Sequence, residues 1–142
     1  MKQKVPLALM EQVIMIAVFA VSAALCLEAF AMAERVSREN EDRDNAVRLA
    51  QNAAEVCIAS RGDWDRLTLH LGGTAGEEWT ALFSGDLKET EDDREGVYRV
   101  VVSREDTACP GLGRAGVCVY GAESGTLLFQ LPAAWQEDEM LG

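Results

Sequence analysis

The chain has 142 residues and carries 24 acidic against 13 basic side chains, a formal charge of −11. That length allows one modest domain beside any anchor. The charge excludes a direct nucleic-acid partner, because phosphate binding requires the Lys and Arg clusters missing here.

The first sixty residues read as one long helix. A short cationic start (Lys2, Lys4) leads into Leu7-Ala8-Leu9-Met10-Glu11 and then an apolar run from Val13 to Ala33. Within those 21 residues only Ser22 and Glu28 are polar, besides the thiol of Cys26. At about 1.5 Å per residue the run spans about 31 Å, enough to cross a hydrocarbon core of about 30 Å. Apolar residues surround the helix on all sides, which excludes an ordinary amphipathic core helix. Glu28 lies in the last third of the run, where a carboxylate can reach the interface or a neighbouring helix. Cations precede the span, whereas three Arg and five acids follow it between Glu34 and Asp44. This asymmetry predicts a single-pass membrane protein with a cytoplasmic N-terminus and an extracytoplasmic C-terminal domain. A secreted protein is the alternative, since Ala31-Met32-Ala33 has the form of a signal-peptide cleavage site. Against it stand the length of the apolar run and the interruption at Glu11 and Gln12. Leu25, ahead of Cys26, excludes a lipoprotein cysteine.

After Ala33 the helix turns polar. Val47, Ala50, Ala53 or Ala54, and Cys57 recur at three-and-four spacing, the signature of a helix with one buried face. The polar stretch before them lacks a packing face, and pairs such as Glu39–Arg43 add only tenths of a kcal/mol. All twelve glycines lie at or after Gly62, which marks the start of a separate head. The predicted organisation is residues 1–6 as a basic leader or cytoplasmic tip, 7–33 as a membrane and assembly helix, 34–60 as a polar stalk, and 61–142 as the head.

The Leu7-Ala8-Leu9-Met10-Glu11 segment and the apolar helix to Ala33 resemble the type IV pilins and pseudopilins, including the related subunits of type II secretion and competence systems. That family has a short basic leader, a hydrophobic start, a glutamate at the fifth mature position and a long helix. The resemblance implies a mature chain beginning at Leu7, with Glu11 neutralising the terminal amine of an adjacent subunit. It implies assembly with other pilin-like subunits or an assembly platform. It also implies an antiparallel sheet, often with a disulfide loop, near the C-terminus. One departure is clear: Pro6 stands where the family has Gly before the processing site.

The head reads more coarsely. Trp64 to Leu71 fits a strand or a short helix, and Glu77 to Phe83 a short helix or extended turn. The acidic segment Leu87 to Glu95 reads as a solvated loop. Val97 to Val102, Val117 to Tyr120, and Thr126 to Leu131 (stopped by Pro132) are predicted strands, with Gly121 to Gly125 as a hairpin loop. A three-stranded antiparallel meander packed on the stalk helix is the simplest structure that buries them, giving an α+β fold. Cys109 and Cys118 flank the turn-rich Pro110–Gly116 loop. A disulfide across it would stabilise by roughly 2–3 kcal/mol; two free thiols are the alternative.

Catalytic chemistry finds no support. The single His70 has no nucleophile in a recognisable motif and reads as a partly buried structural residue. Gly72-Gly73-Thr74-Ala75-Gly76 lacks the Lys of a phosphate loop. Glu89, Glu91, Asp92, Asp93 and Glu95 do not follow the spacing of a calcium loop. No cofactor or metal is implied. The expected role is structural, through Leu7, Glu11 and Glu28, with a single-pass anchored or secreted extracytoplasmic binding module as the alternative.

Overall fold

The computed structural model describes residues 4–138. Helix α1 runs from Lys4 to Ala59, and the chain divides into a unit of residues 1–40 and a unit of residues 41–142. Pro6 sits in the first turn of α1, where its missing N–H has no intrahelical partner to lose.

In the second unit, the last part of α1 buries Ala46, Leu49, Ala50, Ala53, Ala54 and Cys57, with Val47 half-buried. The steps between them are three or one, so they form a single stripe with mostly small side chains. Small residues let a helix lie close to a sheet. The helix ends in a Schellman turn: Gly62 N–H donates to Cys57 O (3.0 Å) and Arg61 N–H to Ile58 O (3.1 Å). The left-handed position of this turn is occupied by Arg61, φ 53°, where glycine is usual.

Helix α2 (Trp64–Leu71) follows. The Asp63 carboxylate caps it by accepting from Asp65 N–H at 3.0 Å, and Leu67 is its buried anchor. Six strands form one antiparallel sheet: β1 (Thr74–Ala75), β2 (Trp79–Phe83), β3 (Glu89–Thr90), β4 (Tyr98–Glu105), β5 (Leu112–Gly121) and β6 (Leu127–Gln136). Their order is β1-β2-β4-β5-β6, with β3 also paired to β2. Both short strands lie along the same edge of β2, β1 at Trp79–Thr80 and β3 at Leu82–Phe83.

Strand alternation separates two faces. Trp79, Ala81, Phe83, Tyr98, Val100, Val102, Ala115, Val117, Val119, Ala133 and Trp135 form one core cluster with the α1 stripe and Leu67. Thr80, Leu82, Arg99, Val101, Cys118, Tyr120 and Gln130 alternate with them on the other face.

The α+β fold with a long N-terminal helix is as expected, but several elements are larger or different. Glu77 to Phe83 contains a strand, not a helix. Trp79, Ala81 and Phe83 are buried at period two, five residues pair with β4, and the Trp79 indole N–H donates to Gly72 O (3.1 Å). The acidic segment includes β3. Strand β5 begins inside the expected loop, at Leu112, and β6 continues through Pro132 to Gln136. Proline is tolerated there because β6 is an edge strand, paired only with β5 among the described residues. The meander is therefore the centre of a wider sheet.

The Cys109–Cys118 disulfide is overturned. Both thiols are free. Cys109 O lies against Leu112 N–H (3.4 Å) at the start of β5, and Cys118 is six residues further along that strand. At about 3.4 Å per residue this separation is about 20 Å, whereas a disulfide needs Cα atoms within about 7 Å.

Candidate assembly surface

Leu7, Glu11 and Glu28 all lie on α1 within the first unit. Leu7 and Glu11 are one turn apart on one face; Glu28 is 17 residues beyond Glu11, or about 25 Å along the axis and about a quarter turn round. The structure thus brings Leu7 and Glu11 together and sets Glu28 apart. Among the described residues, no ion pair reaches either glutamate.

From Val5 to Asn40 no side chain is buried. Fifteen large apolar side chains between Val5 and Met32 are more than half exposed, among them Leu7 (71%), Phe19 (76%) and Phe30 (74%). Burying each such side chain is worth about 1.5–3 kcal/mol, so together they outweigh the about 5–15 kcal/mol that holds a domain folded. This surface requires an apolar medium or other helices. The helix is long and apolar enough to cross a membrane. Ser22, its hydroxyl in mid-run, donates back to Val18 O at 2.8 Å and so presents no unsatisfied donor to hydrocarbon. Beyond the apolar run, Arg38 pairs with Glu34 (2.7 Å) in an exposed i,i+4 bridge.

In the second unit three polar features position the sheet. Tyr98 O–H donates to Asp42 Oδ1 (2.8 Å) and accepts from Asn45 Nδ2 (3.3 Å), tying β4 to the helix. Burial, more than the nearby Asp42 and Glu41 charges, pushes the Tyr98 phenol above its ordinary value of 10. Arg104 donates to Gly62 O (2.7 Å) while its guanidinium lies 5.5 Å over the Trp64 ring. Trp135 is 5% exposed, packed between Gly62 and Gly113, and its indole N–H has no partner among the described residues. None of these residues was singled out from the sequence for such a role. The pairing of a strand tryptophan with a strand glycine is visible only once the register Gly113↔Trp135 is known.

The outer sheet face carries a groove of about 600 Å³ lined by residues including Gly73, Thr80, Leu82, Glu89, Arg99 and Val101. Beside it Tyr120 is shifted upward by its hydrogen bond to Cys118 and by the charge that thiol would carry. His70 is exposed, not partly buried as expected, near Glu55 and Arg66 in a shallow hollow of about 310 Å³. Among the described residues no cluster of three or more His, Cys, Asp or Glu forms a metal site. The chain matches no protein-family model, no curated protein and no solved structure.

Proposed function

We propose that the chain is a membrane-anchored, pilin-like structural subunit that assembles through its N-terminal apolar helix with other such subunits or an assembly platform. The setting is a surface filament, a secretion system or a DNA-uptake apparatus. The observation that carries this reading is the stretch from Val5 to Met32, apolar on every side and uncovered. Glu11 stands near its start, with no ion pair among the described residues. A carboxylate in apolar surroundings is strongly destabilising unless a cation meets it. An adjacent subunit's amine is the cation the family resemblance supplies. The head then lies outside the membrane, with a structural rather than catalytic role.

The test is co-capture of two differently tagged copies from native membranes. Wild-type copies are expected to be recovered together, and Glu11→Ala to abolish recovery while leaving each copy in the membrane. Unchanged co-capture would remove Glu11 from the account. Absence of co-capture between wild-type copies and with any other membrane protein would leave a lone anchored binding module.

A further inference from the structure

We infer that one particular helix face, marked by Glu28 and Arg35, packs against the same face of a second parallel copy displaced by seven residues. This inference rests on the assembly reading above and specifies its register. Glu28 and Arg35 are two turns apart and therefore share a face of α1. Among the described residues neither has an ion-pair partner, although Glu34 and Arg38 beside them form one. The face they occupy continues toward the N-terminus as Ala24, Ala20 and Ala17 and includes Ala31 between the two charges, all at steps of three or four. Alanines at these steps allow two backbones to approach closely in an apolar medium.

Two copies facing each other in register would place Glu28 on Glu28 and Arg35 on Arg35, like on like. A displacement of seven residues, about 10.5 Å, keeps the same face in contact because seven residues make two turns. It sets Glu28 of one copy level with Arg35 of the other, and Ala17 and Ala24 level with Ala24 and Ala31. The first copy's Glu28, costly alone in an apolar helix, thereby gains a partner, while the second copy's Glu28 stands level with Val21; the in-register arrangement is penalised by repulsion. The apolar residues begin at Val5, ahead of Glu11, so a copy displaced by two turns still presents helix to hydrocarbon. The occupant of this face is accordingly a second copy of this chain, selected by charge complementarity.

Disulfide trapping in native membranes tests the register. One full-length copy carries Ala24→Cys and the other Ala31→Cys, both with Cys26 and Cys109 replaced by Ser, and a copper–phenanthroline oxidant is applied. The mixed 24–31 dimer is expected to dominate over 24–24 and 31–31. Glu28→Arg in the first copy should reduce it about tenfold, and adding Arg35→Glu in the second should restore it. Dominant like-with-like dimers would overturn the seven-residue displacement while leaving helix assembly intact, as would indifference to charge reversal. If neither the mixed 24–31 pair nor any other pairing of cysteines placed one per copy between 13 and 33 gives a dimer, the assembly reading falls with it.

Discussion

Gly113→Ala isolates one packing contact in the head. The backbone at Gly113 needs no left-handed conformation. The only objection to a side chain is space: a Cβ there would stand 2.3 Å from both Cε2 and Nε1 of Trp135. No atom tolerates that approach, so either the indole leaves its seat or the β5–β6 pairing opens. Overpacking a core costs about 1–3 kcal/mol and expelling a tryptophan about 3–5, which brackets the expected loss at about 2–4 kcal/mol. For a unit of this size, each kcal/mol moves Tm by about 4–8 °C. The assay is urea and thermal unfolding of the detergent-solubilised chain, followed by near-UV circular dichroism. Trp135→Ala removes the whole indole that the new methyl would strike, together with a buried N–H that has no partner among the described residues. Alone, it should cost about 3–5 kcal/mol. In combination with Gly113→Ala it should recover at least about 1 kcal/mol relative to the sum of the single changes. A Gly113→Ala variant within about 0.5 kcal/mol of wild type, or strictly additive changes, would refute the contact.

Tyr98→Phe deletes the bond to Asp42 and the one from Asn45 at a buried position, and should destabilise by about 1–2 kcal/mol in urea titrations. Because the folded phenol is raised, its contribution is complete below pH 10 and lost as pH rises beyond it; the wild type should weaken above pH 10. Tyr98→Phe should flatten that slope in part, the remainder coming from the likewise raised Tyr120 and from Cys57, whose thiol burial pushes from 9.0 up to about 11. Arg61→Gly should stabilise by about 0.5–1 kcal/mol, since glycine fits the left-handed φ of 53° and the exposed Arg61–Asp138 pair contributes little. Under non-reducing conditions Cys109 and Cys118 should both alkylate in the unfolded chain, with no mass deficit of about two hydrogens. A deficit removed by reduction would contradict their separation along β5.

Much of this architecture was legible because its signals are periodic. An apolar run unbroken by glycine, followed by apolar residues at three-and-four steps into Cys57, marks α1 and its buried stripe. The strands β4 and β6 announce themselves through Val100, Val102 and Leu127 to Leu131. Other elements hid for physical reasons. In β2 the middle inward residue is Ala81, too small to stand out, so Trp79, Leu82 and Phe83 mimic a helical spacing. The start of β5 contains Gly113 and Gly116, which read as a turn; Gly113 is required by an indole 22 residues away in sequence. Pro132 reads as a stop, and only an edge position makes it compatible with a strand. The candidate assembly residues were legible as charges in an apolar helix. Their partners were not, because an intermolecular contact leaves no periodicity within one chain. The Cys109–Cys118 pairing failed because proximity in sequence says nothing of a strand that carries the two thiols apart.

The most direct test of the central claim is the intact mass of the mature protein purified from its native membranes. Assembly through the apolar helix predicts a chain that retains that helix, beginning at Met1 or, after leader removal, at Leu7. A chain beginning at Glu34 would contradict it, because the whole surface from Val5 to Met32 would be gone and the head would be a secreted domain.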